Sequence, residues 1–350
     1  MVDQRVTSPA RLRLSHDALI SNWQWLAKTS GAAACGAAIK ANGYGLGALE
    51  VMARLQKAGC RDFFVATWAE AQQVEQELTG QATLSVLHGV RPDDMIAALS
   101  SRARPVLSSP EQIARWREAT DLPCDVMVDT GMNRLGVSCM DALSGLLDGL
   151  NIQTIMSHLA SADEDCPQND VQRTQFAAVQ AAFPDARASL ANSAGICLGT
   201  PFHLDLTRPG LSIYGGIARP EAQGNIRQVV MPEAEILQIR TVRAGEPVGY
   251  NATWRAPREQ RIAIVNLGYA DGYSRAFSDV GSARFQDANL KVIGRVSMDL
   301  IALALPEGCA ARSGDFVRFD FDLSEMSRRT GVSPYELLTS LGSRYDRIWV

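Results

Sequence analysis

A lysine stands where a lysine is costly. In the run C-G-A-A-I-K-A-N-G-Y-G-L-G from Cys35 to Gly47, small and apolar residues lead up to Lys40, and Asn42, Gly43, Gly45 and Gly47 break the pattern behind it. That spacing puts the amine where a buried strand meets a flexible turn. The other lysines, Lys28, Lys57 and Lys291, lie in polar or element-end surroundings. An ammonium beside Ile39 must be paired, deprotonated or covalently used. One reading is a lysine whose stem is buried while its head reaches water. The other is an amine of lowered pKa, suited to forming a Schiff base.

Further groups could share that chemistry. V-D-T-G-M-N-R-L-G sets Arg134 on a glycine-flanked turn, where a guanidinium either grips a carboxylate through two hydrogen bonds or is simply solvated. M-S-H-L-A-S-A-D-E ends an apolar run at His158, a residue type more often satisfied in a core than catalytic. A-N-S-A-G, with Ser193, and T-R-P-G-L, with Arg208, Gly210 and Leu211, combine a hydroxyl with glycine-flanked amides. Those are the donors a phosphate site needs, or else ordinary loop punctuation. Arg208 at a strand end needs an anionic partner. An amine and an anion cradle around one mouth suit a ligand with an aldehyde and a phosphate, and pyridoxal 5'-phosphate has both.

These groups fall on a regular alternation of elements. Apolar or β-branched runs end near Thr67, His88, Leu107, Asp129, His158, Ala191 and Thr207, and helical spacing fills 48–58, 68–78, 110–119, 140–147 and 171–182. A further helix is expected over 15–26, from Leu19, Ile20, Trp23 and Leu26 behind a Ser15 cap. With the lysine strand there are eight βα units, and continuous apolar strands separated by helices imply a parallel sheet. Eight units close into a (β/α)8 TIM barrel, whose chemistry collects at the C-terminal strand ends, where these groups lie. An open doubly wound sheet is the rival, but no G-x-G-x-x-G follows the first strand. Past residue 224 the segments shorten, alternate and are broken by Gly, Pro and Asp, which reads as a mainly antiparallel β domain. One late helix is expected there, over 334–341 behind Ser333. The expected division is therefore a barrel over 9–224 and a C-terminal β domain over 225–350.

Bulk composition narrows the function classes. At 350 residues, 46% hydrophobic and 21% charged with a net charge of −4, the chain reads as a soluble globular protein. Mild acidity without a Lys/Arg cluster excludes a nucleic-acid partner, and no stretch is apolar enough for a membrane span. The seven cysteines are odd in number, scattered and never in C-x-x-C, which suits reduced thiols in a cytoplasm and no metal site.

K-A-N-G-Y-G-L-G, V-D-T-G-M-N-R-L-G, S-H-L-A-S-A-D-E, A-N-S-A-G, R-P-G-L-S-I-Y-G, G-Y-A-D-G-Y and G-R-V-S-M-D occur in this order over nearly the whole chain. Together they resemble the alanine racemase family. The resemblance implies a pyridoxal-phosphate barrel, a C-terminal β domain and a homodimer with shared active sites. It also implies interconversion of L- and D-alanine, for peptidoglycan or for alanine catabolism. By position, it implies that Lys40 holds the cofactor as a Schiff base. Tyr44, Ser193 and the backbone at Gly210 and Leu211 would hold its phosphate. Arg208 would face the pyridine nitrogen and His158 would lie beside the ring. Arg134 and the backbone at Met298 would bind the substrate carboxylate, and Tyr269 would be a second base lent by the partner subunit.

Inversion needs one group on each face of the carbon, Lys40 on the D face and Tyr269 on the L face. A phenol of pKa ~10 needs nearby cations to act as a base at neutral pH, and His158 and Arg208 are the expected source. An arginine at the ring nitrogen cannot hand over a proton as a carboxylic acid would, which favours return of a proton to the same carbon. Three positions depart from the family pattern. Met127 stands where many members have a carbamylated lysine, Leu46 where a histidine is frequent, and Ser343 where a phosphate-binding tyrosine is common. The rival readings are a racemase of serine or another small amino acid, a basic amino-acid decarboxylase, which Arg208 opposes, a pyridoxal-phosphate carrier, which the second domain opposes, and a plain metabolite-binding barrel.

Overall fold

The computed structural model describes residues 6–350. The chain divides into two compact units, Asp17–Arg227 and a second built from the residues up to His16 together with Gln228–Val350.

The first unit is the barrel. Parallel strands Ala37–Ala38, Asp62–Val65, Thr83–Val86, Arg104–Leu107, Cys124–Asp129, Ile152–Met156 and Arg187–Ser189 are hydrogen-bonded in that order. Leu206–Thr207 is the eighth, pairing with Ala34–Cys35, and Gly36 N–H donates to Thr207 O at 2.9 Å. On the other side Asp205 N–H donates to Ala188 O at 3.1 Å, so the ring closes. Ala34–Cys35 and Ala37–Ala38 are one edge interrupted at Gly36, where a Cβ would sit 2.7 Å from Asp62 O. The strands are short because each needs only to carry a few buried residues, such as Phe63, Phe64 and Val65, before its chain turns outward.

Helix starts follow the cap chemistry. Thr67 and Glu70 form a reciprocal capping box for Trp68–Val74, Ser109 caps Pro110–Ala119, and Ala48–Ala58 ends at the left-handed Gly59. The helix over His16–Thr29 buries Leu19, Asn22, Trp23 and Leu26 on one face. Asn22 is a polar clamp in that apolar stripe. Its Nδ2 donates to Ile213 O at 3.2 Å and Arg227 O at 2.8 Å, while its Oδ1 accepts from Arg227 N–H at 2.7 Å.

The second unit is mainly antiparallel. The thirteen-residue strand Val230–Val242 pairs with Phe316–Phe319 through its first half and with Gln260–Val265 through its second, closing a sheet that runs through Ile301–Ala304, Ala288–Ile293 and Ser282–Phe285. Its early residues alternate between buried and partly buried, which is why a sequence of period two forms here. Two points differ from the sequence reading. The segment Ala10–Leu14, placed there in the barrel, is a strand of this sheet, paired antiparallel with Val230–Val242 and parallel with Asp346–Trp349. A second late helix, Leu323–Thr330, precedes Pro334–Thr339. Its D-L-S-E start, with Asp322 accepting from Glu325 N–H, is a cap signal that a reading based on strand periodicity passes over.

No helix among the described residues is long and apolar enough to cross a membrane. All seven cysteines are free thiols. Replacing Asn22 by Ala removes the partner of the buried Ile213 O and of two part-buried groups of Arg227 and is expected to lower stability by about 2 kcal/mol. The check is the urea midpoint, which should fall while the slope of the transition stays the same.

Candidate active site

Lys40 follows the strand Ala37–Ala38 and opens a turn of unusual hand. Ala41, Asn42, Gly43 and Tyr44 have φ of 52°, 54°, 62° and 53°, one left-handed helical turn closed by Gly43 N–H to Ile39 O at 2.8 Å and Gly45 N–H to Ala41 O at 2.9 Å. Each residue with a Cβ costs about 1–2 kcal/mol there, so the surroundings must impose it. Three contacts do so. Glu70 Oε1 accepts from Ala41 N–H at 2.7 Å while its Oε2 accepts from Ala66 N–H at 2.7 Å. Asn42 Oδ1 accepts from Ala48 N–H at 3.0 Å. Tyr44 stacks on Tyr214 at 4.5 Å, and the Tyr214 hydroxyl donates to Ala38 O at 2.8 Å. Leu46, where the family often has histidine, is fully buried and serves packing. Burial holds the Lys40 amine below the usual lysine range, helped by the charges of Arg134 and Arg208 and opposed by Glu70.

Arg134 sits on a loop organised by one carboxylate. Asp129 Oδ1 accepts from the N–H groups of Gly131, Met132 and Asn133 at 2.8, 2.9 and 3.1 Å, and its Oδ2 accepts from Arg134 N–H at 3.2 Å. The guanidinium itself is exposed. Met127 is buried opposite Met156 on the neighbouring strand, so this position supplies packing and no charge to steer Arg134.

Arg208 is buried and donates from Nη1 to Ser189 Oγ and from Nη2 to Ser157 O at 2.6 Å. Burial lowers its pKa to about 10, so it still carries its proton at neutral pH. Ser157 Oγ shares a hydrogen bond with Thr130 Oγ1 at 2.8 Å. Gln172, fully buried on the helix Pro167–Ala182, ties these segments together. It donates to Thr130 Oγ1 at 3.2 Å and His158 O at 3.0 Å and accepts from Ala160 N–H at 2.8 Å. His158 retains some exposed surface, yet burial, with Arg208, Arg134 and Lys40 as neighbouring cations, takes its pKa down to about 3. It is a neutral imidazole. The expectation that His158 adds positive charge beside a phenol is therefore corrected, because burial and three neighbouring cations make its charged form too costly.

The anion cradle forms where the seventh and eighth strands end. Ser193 Oγ accepts from the N–H groups of Gly210 at 3.0 Å and Ser212 at 3.2 Å, with Leu211 between them, and Asn192 caps the short helix that carries Ser193. A Cβ at position 210 would stand 2.2 Å from the Tyr44 hydroxyl, so only glycine lets the phenol reach these amides. The Ser212 hydroxyl is buried without a partner. A phenol, hydroxyls and backbone amides converging here fit the oxygens of a phosphate. An amine of lowered pKa fits an aldehyde. Pyridoxal 5'-phosphate therefore matches the residues present.

Tyr269 and Met298 belong to the second unit. Both are exposed, and their loops are laced by Tyr269 N–H to Ser297 O and Ala270 N–H to Met298 O, each 3.0 Å. Ser343 is exposed beside Arg344. Sequence reasoning passed over Glu70, Asp129 and Gln172. The capping pattern T-x-x-E and the aspartate before the glycine turn were signals for the first two, whereas nothing local marks Gln172.

Comparison with known proteins adds the following. The family description "Alanine racemase, N-terminal domain" matches residues 14–218, and "Alanine racemase, C-terminal domain" matches 229–349. The alanine racemase of Methylobacterium nodulans is 42% identical, with 97% of this chain and 96% of that protein covered. Agrobacterium fabrum has a catabolic alanine racemase at 39% identity, covering 97% of this chain and 92% of its own, and a biosynthetic one at 38%, covering 97% and 93%. The crystal structure of alanine racemase from Bartonella henselae with covalently bound pyridoxal phosphate superposes with a TM-score of 0.90 at 33% identity, over 99% of this chain and 100% of that one.

Two outcomes follow from the geometry. His158 binds its proton more weakly folded (about 3) than unfolded (about 6.5), so the unfolded chain holds more protons between those values. Its contribution to stability is complete above pH 6.5 and declines as pH falls towards 3; in cofactor-free protein, urea midpoints measured from pH 7 to 4 should fall less steeply for His158→Gln than for the parent. Asp129→Ala should free the Arg134 loop, giving faster amide exchange at 131–134 and roughly tenfold weaker binding of acetate by titration.

Proposed function

Because the chain belongs to the alanine racemase family, we propose that it is a pyridoxal-5'-phosphate-dependent enzyme that interconverts L-alanine and D-alanine. The supporting observation is electrostatic. Burial, reinforced by the charges of Arg134 and Arg208, depresses the Lys40 amine, the same burial with Arg208, Arg134 and Lys40 keeps His158 neutral, and Glu70 opposes the shift at Lys40. Such a cluster is comfortable when anions enter it, and a cofactor phosphate with a substrate carboxylate supplies them.

When bound, the cofactor makes the substrate Cα–H acidic by accepting the electron pair left on carbon. Lys40 would hold the cofactor and, when free of it, would stand as an amine on the D face of Cα. Its depressed pKa raises the share of neutral amine able to take a proton at neutral pH. Arg134 binds the carboxylate on a loop that Asp129 keeps in place, helped by the backbone of the partner's Met298. From L-alanine, Tyr269 of the partner subunit takes the α-proton and Lys40 Nζ returns one to the opposite face. From D-alanine the roles exchange; in either direction one base ends with a proton gained and the other with one lost, and exchange with water returns both to their starting states, so the only net change is the configuration at Cα. Arg208 would face the ring nitrogen and keeps its own proton, with Ser157 and Ser189 fixing the direction of its fork. His158, held neutral by burial and the neighbouring cations, would lie beside the ring.

This reading makes the protein a homodimer, since each site takes a base from the other copy, and places it in the cytoplasm, where its thiols stay reduced. Purified with pyridoxal phosphate, the protein should racemise alanine faster than serine or other small L-amino acids, followed by chiral chromatography. Lys40→Ala should lose roughly a thousandfold in rate together with the visible absorbance of the bound cofactor. Turnover of another amino acid and none of alanine would replace the substrate. Borohydride reduction that left Lys40 unlabelled in the loaded protein would overturn the reading.

A further inference from the structure

We infer that Arg344 is a positioning residue that locks the Tyr269 turn and the Met298 loop into one rigid piece. The inference rests on the reading of Tyr269 as the L-face base and of the Met298 backbone as a carboxylate donor. All the contacts lie within the second unit.

Tyr269 sits on the tight turn Gly268–Tyr273, closed by Asp271 N–H to Gly268 O and Tyr273 N–H to Gly268 O, both 3.1 Å. Asp271 in that turn is fully buried, and its Oδ2 accepts from Gly268 N–H at 2.9 Å. Its other oxygen, Oδ1, accepts from Arg344 Nε at 2.7 Å. From Nη1 the same guanidinium donates to Asp299 Oδ1 at 2.7 Å, one residue beyond Met298. One side chain thus grips the residue two beyond Tyr269 and the residue next to Met298.

The two loops are already close. A Cβ at Gly268 would stand 2.2 Å from Met298 O, and Gly342 N–H donates to Asp271 O at 3.2 Å. What backbone contact leaves open is how the pair of loops is held as a unit, and a planar fork fixes that because Nε and Nη1 point in set directions. A lysine, with a single ammonium on a flexible stem, cannot hold both carboxylates in this geometry.

The two arms differ in kind. The Asp271 carboxylate is buried, so losing its cation leaves an uncompensated charge and threatens the fold. Arg344 and Asp299 are each about half exposed, at 47% and 50%, so that arm adds little to stability and its loss changes geometry instead.

The test separates these roles. In cofactor-free Arg344→Lys and Asp299→Asn, amide exchange should quicken at 297–300, and at 268–273 in Arg344→Lys, with the barrel unchanged. In the loaded enzyme Arg344→Lys should lose roughly 10- to 100-fold in kcat/KM from a misplaced base. Its α-deuterium isotope effect should grow for L-alanine and not for D-alanine, because only the Tyr269 step has slowed. Asp299→Asn should raise KM in both directions with isotope effects unchanged. Wild-type exchange, KM and symmetric isotope effects in both variants would overturn the inference. Tyr269→Phe distinguishes the two levels of the argument. If it shows the L-specific isotope effect while Arg344→Lys does not, the clamp alone fails; if it does not show that effect, the assignment of the base fails. Should Arg344→Lys fail to fold, Arg344→Gln paired with Asp271→Asn removes the buried charge with its partner and is read in the same way.

Discussion

Three positive charges share one barrel mouth, and their mutual repulsion is the constraint on which the rest of the site depends. Burial is the larger cause and this repulsion adds to it, together shifting Lys40 towards the neutral amine and holding His158 without a proton at neutral pH. The repulsion also makes the site receptive to anions before any ligand arrives. Glu70 tempers the repulsion at Lys40 from a half-buried position, and Asp125, deep in the barrel, is the charge that favours the Arg208 cation. The acidic groups near these cations face backbone amides or lie beneath the mouth, so the mouth itself stays positive.

A second principle runs through both units: carboxylates and amides of single side chains hold whole loops by their backbone. Asp129 gathers four consecutive N–H groups around Arg134, Glu70 joins the lysine turn to a helix start, Gln172 links two strand ends, and Asp271 closes the Tyr269 turn. Loops are the natural place for such groups, because their amides have no ladder to satisfy them. The functional side chains can then project freely while the backbone beneath them is rigid.

The barrel was legible because each strand is a compact apolar run and helices such as Trp68–Val74 and Pro110–Ala119 carry their own caps, signals that lie within a few residues of one another. The glycine-rich blocks around Lys40, Ser193 and Gly210 were legible for the same reason. What depends on partners far along the chain was not. Ala10–Leu14 has the apolar alternation of a strand, but its partners lie more than 200 residues away. The left-handed turn at 41–44 includes Ala41 and Tyr44, which do not favour that hand and adopt it because Glu70 and Tyr214 impose it. The protonation of His158 depends on its burial and on three cations from three different strand ends, a property of the assembled mouth and not of the motif.

The strand Ala10–Leu14 sets an order of events during synthesis. Its neighbours, Val230–Val242 and Asp346–Trp349, emerge from the ribosome long after it does, the second of them at the far end of the chain. At ribosomal speeds of about 5–20 residues per second, the first strand waits roughly twenty to seventy seconds for that last neighbour. Asp17–Arg227 has all its own strands by then and can fold on the nascent chain. Until Val230–Val242 emerges Ala10–Leu14 is an unpaired edge, and it carries Arg11 and Arg13 between its buried Ala10, Leu12 and Leu14. Those two charges make it a poor template for association with another nascent chain until its own sheet is ready to receive it.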